Sequence, residues 1–113
     1  MSNQRRSKRV NHRLDAEVVL EKKSYWGSIE NFSEVGIFKI SVPDEEVVEF
    51  IPGAGVLIRF QLPSKEEINL NCSIKWLRIT PEPLAGIIYN MGMEIHNPPQ
   101  QYLNFVHSLY VLE

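Results

Sequence analysis

The sequence predicts an all-β protein, a small barrel or sandwich of about six antiparallel strands in a meander, followed by one helix. Apolar and polar residues alternate along most of the chain, as they do in antiparallel strands with one face in water. Proline-containing turn signals separate these runs. Strands this short suit a sheet that closes on itself, because closure removes exposed edges. The 113 residues amount to one domain.

Five runs alternate, and the clearest is EINLNCSIKW, where every second residue from Ile68 to Trp76 is apolar. A sixth strand is expected in YWGSIENF, after a tight turn near Lys23 and Ser24. Side chains in a strand alternate between its faces, so each run predicts one core-facing set. These sets are Ala16, Val18 and Leu20; Phe38, Ile40 and Val42; Val56, Ile58, Phe60 and Leu62; Ile68, Leu70, Cys72, Ile74 and Trp76; and Ala85, Ile87, Tyr89, Met91, Met93 and Ile95.

The hydrophobic period changes at the C-terminus, in NPPQQYLNFVHSLYVLE. Apolar residues there recur at helical spacing, which predicts an amphipathic helix over about residues 98–112. Asn97 is the expected N-cap, with Pro98 at the first helical position and Gln100 at the third. The apolar face of this helix either covers one opening of the barrel or packs against a partner molecule.

Charge divides the chain into two parts. Residues 1–13 carry five basic and no acidic residues, whereas residues 14–113 carry seven basic and fourteen acidic residues, a net charge of −7. A body of that charge repels long polyanions, so we expect no binding to DNA or RNA. The basic stretch is either a solvated tail or an arm that captures a small anion.

The cysteine content and the apolar stretches predict a cytoplasmic protein. The one cysteine, Cys72, excludes an internal disulfide and fits a reducing compartment. The basic N-terminus is not followed by the apolar region of a secretory signal. No apolar stretch approaches the ~20 residues needed to span a bilayer, so we expect no direct membrane insertion.

Nothing in the sequence calls for an enzyme. The motifs HExxH, CxxC, GxSxG and GxxxxGK are missing, and the three histidines are far apart. Cys72 falls among apolar positions and is interpreted as a small buried hydrophobe. Acidic residues cluster in one surface connection, as Asp44, Glu45, Glu46 and Glu49. We therefore expect no catalytic residue, no metal and no cofactor.

Two short motifs remain. The arm contains Arg5-x-x-x-Arg9, and residues 31–36 read Asn31-x-Ser33-x-x-Gly36 between two predicted strands. Taken alone, the second motif is a turn in which Asn31 and Ser33 bond their own backbone and Gly36 supplies a positive φ.

In this order and spacing, the two motifs resemble the PilZ domain, a family of bacterial receptors for the second messenger cyclic di-GMP. The resemblance covers most of the chain, and CSIKWLRI followed by YNMGMEIHNPP matches the late strand pair of the family. It implies a six-stranded antiparallel barrel with a C-terminal helix. The division is then a flexible ligand-binding arm over residues 1–13 and a barrel domain over residues 14–113. Two positions depart from the family, Asn31 where Asp is commoner and Ile37 where many members have a second glycine.

The resemblance implies that cyclic di-GMP contacts arginines of the arm. The guanidinium fork matches the O6 and N7 acceptors of guanine, and it also stacks on a base, which lysine does not do in the same way. Arg5 and Arg9 are assigned to guanine and phosphate, and Arg6 to a helping contact. Lys8 and Arg13 are expected to supply general positive potential.

The resemblance assigns three further ligand contacts to residues 31–36. Asn31 presents its carbonyl oxygen to the N1–H and N2–H₂ donors of guanine. Ser33 donates its hydroxyl to a phosphate or a base. Gly36 lets the backbone approach the ligand closely.

The leading hypothesis is a non-catalytic cyclic di-GMP receptor. It orders its arm over the nucleotide and signals through contacts with an unidentified protein partner, as a monomer or weak dimer. The alternative is a PilZ-like adaptor that does not bind nucleotide and acts only through protein contacts. A third class, a binder of RNA or single strands, would stack bases on Tyr25, Trp26 or Trp76, but the charge of the body opposes it. These aromatic residues are expected to fill the core or its rim.

Overall fold

A computed structural model describes residues 9–44, 50–84 and 86–112 of the chain. These residues form six strands and one helix, and all strand pairs are antiparallel. The elements are β1 (Val10–Leu20), β2 (Lys23–Phe32), β3 (Gly36–Asp44), β4 (Gly55–Gln61), β5 (Glu67–Glu82), β6 (Gly86–His96) and α1 (Gln100–Leu112). The strands close into a barrel, which confirms the predicted six-stranded antiparallel barrel with a C-terminal helix.

The strand order is β1-β2-β3-β6-β5-β4, so the prediction of a simple meander is wrong. β3 pairs with β6, and β4 closes the barrel by pairing with β1 between Glu17↔Arg59 and Val19↔Leu57. The link from β3 to β4 contains Phe50, which is buried at one end of the barrel. Turn signals predict where the chain reverses, but the neighbour of each strand depends on how the barrel closes.

The predicted alternation describes most of the interior. Members of all five predicted sets are buried, among them Ala16, Ile40, Ile58, Leu70 and Met91. Ala85 lies outside the described residues, and Leu20, Leu62 and Ile87 are only partly buried against the core.

Phe38 and Trp76 depart from their predicted core positions. The β3–β6 register shifts between Ile37 and Ile40, and Ile37 takes the interior position while Phe38 is only partly buried. The β5–β6 register shifts before Trp76, whose side chain is 42% exposed. An extra residue in one strand moves the following side chains to the other face, which is why strict alternation misplaced both residues.

Trp76 lies over Gly92, its partner in β6. A Cβ at Gly92 would overlap the indole nitrogen of Trp76 and lie 2.5 Å from its Cε2 atom.

In a Trp26→Phe background, Gly92→Ala should displace the indole of Trp76 into water. We expect the free energy of unfolding to fall by about 1–2 kcal/mol and the tryptophan emission to shift to the red. Emission and melting temperature equal to those of the Trp26→Phe parent would contradict this packing.

The helix begins at Gln100, two residues later than predicted. The backbone N–H groups of Tyr102 and Leu103 both donate to the Pro99 carbonyl, at 3.0 and 3.1 Å, so Pro99 is the N-cap. Asn97 instead has a φ of 49°, and its prediction as N-cap is wrong. The helical region is disfavoured for a residue that precedes proline, and for this reason the helix does not begin at Pro98, before Pro99.

α1 covers the other end of the barrel, as one of the two alternatives for this helix predicted. Tyr102 is 1% exposed, and both Tyr102 and Phe105 pack against Phe32 and Phe60 with ring centroids 6.2–6.4 Å apart. Within the described residues, no helix has the length and apolar character needed to cross a membrane.

Two boundaries differ from the sequence prediction. β1 begins at Val10, inside the stretch assigned to the arm, because Val10 is buried and pairs with Phe32. The turn between β1 and β2 lies at residues 21–22 rather than near residues 23–24, and Glu21 there has a φ of 57°.

Candidate functional site

The second motif forms the turn between β2 and β3, and residues 31–36 are called the signature turn below. Its shape is held by backbone and side chain together. The Ser33 N–H donates to the Gly36 carbonyl at 2.8 Å, and the Val35 N–H donates to the Ser33 hydroxyl at 3.2 Å. Ser33 is completely buried. As predicted, Ser33 bonds its own backbone, and in this structure its side chain shapes the turn from within.

Gly36 begins β3 at a close approach between strands. A Cβ at this position would lie 2.9 Å from the carbonyl oxygen of Met93 in β6, closer than real Cβ contacts come. The described glycines with positive φ are Gly53 and Gly86, so the prediction that Gly36 supplies a positive φ is wrong. Glycine is required here because β3 and β6 lie too close together for a side chain.

Asn31 is partly buried, and its Oδ1 atom has an unusual environment. It lies where the register of β2 shifts against both neighbours, with Asn11 and Lys39 as its partners. Among the described residues, its Oδ1 atom is buried and has no hydrogen-bond partner. Asn31 was predicted to bond its own backbone, and its Oδ1 atom makes no such bond within the described residues. A buried carbonyl oxygen without a donor costs about 1–3 kcal/mol, so a hydrogen bond from an N–H group to this oxygen would be favourable.

Arg9 is the member of the arginine pair that the structure describes. Its guanidinium carbon lies 3.9 Å from the centroid of the Phe38 ring, a cation–π contact. Sequence reasoning missed Phe38, because strict alternation placed it in the core. Arg5 and Arg6 lie outside the described residues, as does Lys8.

Strand pairing brings these groups to one end of the barrel. Val10, directly after Arg9, pairs with Phe32, which follows Asn31. Phe38 lies between Ile37 and Lys39, the β3 partners of Phe32 and Asn31. The guanidinium, the aromatic ring, the amide oxygen and the start of the signature turn therefore lie within neighbouring strands β1, β2 and β3.

A cleft of about 800 Å³ continues from this end along the outer face of β1, β2 and β3. Its lining residues include Asn11, Arg13, Trp26, Ser28, Glu30 and Ser41. The Arg13 Nε donates to the Ser28 hydroxyl at 3.0 Å. Trp26 is 66% exposed, so the expectation that it fills the core or its rim is wrong.

α1 contacts the signature turn through two side chains that the sequence did not assign to the site. The Tyr102 hydroxyl donates to the Ser33 carbonyl at 2.5 Å, and His107 Nε2 lies 2.9 Å from Glu34 Oε2. Burial raises the pKa of Tyr102, so its hydroxyl remains a donor. The helical pattern marked Tyr102 only as an apolar-face residue, and no local signal could pair it with Ser33 across 69 positions.

The sequence matches the family description "PilZ domain" over residues 3–109. The chain belongs to the PilZ family. PilZ domains are receptor or adaptor domains, and the resemblance drawn from the two motifs is confirmed. No curated protein sequence is significantly similar to this PilZ chain.

Three solved structures share the PilZ fold with this chain at 12–18% identity. The PilZ domain with c-di-GMP of YcgR from Escherichia coli is 12% identical with a TM-score of 0.71, over 96% of this chain and 92% of that one. The inhibitor of motility MotI/DgrA of Bacillus subtilis is 18% identical with a TM-score of 0.66, over 93% of this chain and 48% of that one. The K. pneumonia MrkH–c-di-GMP complex is 13% identical with a TM-score of 0.63, over 97% of this chain and 52% of that one. The chain thus spans about half the length of the last two.

The described residues hold no group of three or more His, Cys, Asp or Glu side chains that could bind a metal ion. Cys72 is buried in β5, and this burial raises the pKa of its thiol to about 12.

The Cys72 thiol should be inert in the folded protein, because the thiolate is the reactive form. At pH 8, we expect iodoacetamide to label Cys72 only at the rate of unfolding. The raised pKa also stabilises the fold below pH 9, and this stabilisation should be lost as the pH rises from 9 towards 12. Rapid labelling without denaturant would contradict the burial.

Proposed function

We propose that this PilZ domain is a non-enzymatic receptor for cyclic di-GMP. The observation that carries the proposal is the buried Oδ1 atom of Asn31, which lacks a hydrogen-bond partner among the described residues and belongs to the signature turn. Guanine carries two neighbouring donors, N1–H and N2–H₂, on its Watson–Crick edge. A guanine placed at the turn would donate a hydrogen bond to this oxygen. Binding would then remove the free-energy cost of leaving the oxygen buried without a donor, which favours the complex.

Arg9 supplies the complementary group. Its guanidinium lies over the Phe38 ring beside the signature turn, where its N–H donors would face a second edge of guanine or a phosphate. Because the ring already orders the side chain, less rotamer freedom is lost when the ligand binds. Arg5 is proposed to bind guanine and phosphate in the same way, and Arg6 to assist it.

Four of the five cations of residues 1–13 precede β1, and they give the proposed switch. Neutralisation by the two phosphates favours folding of the arm over the nucleotide, an ordering step driven by binding. The surface made by ligand, arm and barrel is then read by a protein partner. We place this receptor in the bacterial cytoplasm as a monomer or weak dimer, without DNA or RNA as a ligand.

Two structures with the same fold support cyclic di-GMP as the ligand. The YcgR and MrkH structures contain c-di-GMP, and both share the fold of this chain. Of the two departures from the family pattern, Ile37 is 1% exposed and fills the core, so it is directed away from the ligand face. Asn31 offers a neutral rather than a charged acceptor, which predicts weaker binding than Asp would give.

A second candidate is an adaptor that binds no nucleotide. The buried Ser33 favours it, because the hydroxyl already accepts from Val35 within the turn and is not presented at the surface. In that case, the signature turn serves the fold alone, and signalling depends only on protein contacts.

Calorimetric titration with cyclic di-GMP separates the two candidates. We expect saturable binding by the intact chain, and tighter binding by the Asn31→Asp variant. Asn31→Leu removes the acceptor at similar volume and should weaken binding roughly tenfold. If titration to high micromolar cyclic di-GMP releases no heat of binding, the receptor proposal is overturned and the adaptor remains. In a separate gel-shift experiment, single-stranded oligonucleotides should form no complex with the protein.

A further inference from the structure

The signature turn is bonded to α1 at two consecutive residues. Tyr102 donates to the Ser33 carbonyl, and His107 lies within hydrogen-bond distance of the Glu34 carboxylate. These contacts join parts of the chain that are 69 and 73 residues apart. The helix is therefore fastened to the turn as well as to the end of the barrel.

The two contacts differ in strength. Tyr102 is 1% exposed, and its ring is fixed between Phe32 and Phe60, so its hydroxyl has little freedom to leave the carbonyl. The His107 and Glu34 side chains are 53% and 29% exposed, and water screens their interaction. The buried contact should hold the turn, and the exposed contact should contribute less.

The Tyr102 contact adds to the hydrogen bonds that form within the turn. The Ser33 N–H and hydroxyl bond to Gly36 and Val35, inside the turn. The Ser33 carbonyl accepts a hydrogen bond from the Tyr102 hydroxyl of α1. Removing this donor takes a hydrogen bond away from a buried residue of the turn, which weakens the hold of α1 on the turn.

We propose that Tyr102 and His107 are positioning residues, which hold the signature turn in the conformation that binds ligand. The proposal rests on the proposed receptor function. Asn31 lies two residues before Ser33, near the end of β2, so movement of a turn released from α1 would shift the strand end that carries the amide oxygen. The helix orders the turn before the ligand binds, so the entropy cost of ordering the turn during binding is smaller.

Coupling between two sites is reciprocal, so the same contacts make α1 an element that responds to ligand. Cyclic di-GMP bound at the signature turn should tighten the helix on the barrel. A protein partner that binds α1 should change the affinity for cyclic di-GMP by the same factor as cyclic di-GMP changes the affinity for the partner.

Amide exchange without ligand tests the positioning role. Tyr102→Phe removes one hydroxyl and keeps the ring, and we expect the Ser33 and Val35 amides to exchange roughly fivefold faster. The buried Leu70 amide reports global unfolding and should change less. Tyr25→Phe, at the opposite end of the barrel, is the matched control and should leave the turn unchanged. Equal acceleration at Leu70, or none at the turn, would overturn the proposal.

Titration with cyclic di-GMP provides the second readout. Tyr102→Phe should weaken binding roughly fivefold. His107→Ala, which is exposed and should fold in any case, should weaken it about twofold. His96→Ala removes a comparable exposed histidine, bonded to Ser73 at 2.9 Å, and should have no effect. Wild-type affinity in both α1 variants would overturn the positioning role.

The two proposals fail differently. If the intact chain binds no cyclic di-GMP, the receptor function is overturned, and the ligand-binding role of Tyr102 and His107 falls with it. Faster exchange of the turn in Tyr102→Phe would then still show that α1 orders the turn. If the intact chain binds but neither variant changes affinity, the receptor function stands and the positioning role is wrong.

Discussion

Replacing Arg9 by lysine should weaken cyclic di-GMP binding roughly tenfold to a hundredfold, although the charge is kept. A bidentate contact to guanine contributes about 1–3 kcal/mol, and an ammonium group cannot make it. Lysine also lacks the planar guanidinium, whose carbon lies 3.9 Å from the Phe38 ring centroid in Arg9. Calorimetric titration measures the change, and circular dichroism should show an unaltered fold, since Arg9 is exposed.

Arg13→Lys is the matched control for this change. Arg13 lies four residues further along the chain, but its Nε donates to Ser28 in β2, on the wall of the cleft. If the arm contributed only positive potential, the two lysine variants would bind alike, at close to wild-type affinity. Equal affinities would therefore contradict a specific role for Arg9.

Gly36→Val should lower the free energy of unfolding by about 3 kcal/mol and abolish most ligand binding. The new Cβ would lie 2.9 Å from the Met93 carbonyl oxygen, and the obstacle is backbone, which cannot rotate away. β3 and β6 would have to separate where the signature turn begins. Thermal unfolding should show a melting temperature lower by roughly 10 °C.

Gly55→Val provides the comparison, because Gly55 begins β4 as Gly36 begins β3. A Cβ at Gly55 would lie 3.9 Å from the Cys72 carbonyl oxygen, an ordinary contact, and the residue is exposed. Valine should be tolerated there with a change of less than about 1 kcal/mol. Similar losses in both variants would show that the close approach at Gly36 does not decide stability.

Much of the fold follows from the sequence because its signals are local. The period-two pattern in Val56, Ile58 and Phe60 predicts which side of β4 is buried, and the change of period after His96 predicts the helix. Two spaced motifs were enough to indicate the family. These signals depend only on residues near one another in the chain.

The site was predicted in part. The sequence indicated that Asn31, Ser33 and Gly36 belong to one turn. It predicted a positive φ at Gly36, which the structure does not have, and a ligand contact for the Ser33 hydroxyl, although Ser33 is buried. The sequence placed Phe38 in the core rather than at the site, because a bulge is a property of two paired strands rather than of one. Periodicity within a single run cannot reveal it.

The sequence by itself determined the strands, the terminal helix, the basic arm and the signature turn. Only the tertiary structure decided that β3 pairs with β6, that Phe38 lies beneath Arg9, and that Tyr102 holds Ser33. The physical reason is that each of these depends on barrel closure, which brings together residues tens of positions apart. Which distant groups meet is set by the packing of the whole core, and no local pattern encodes it.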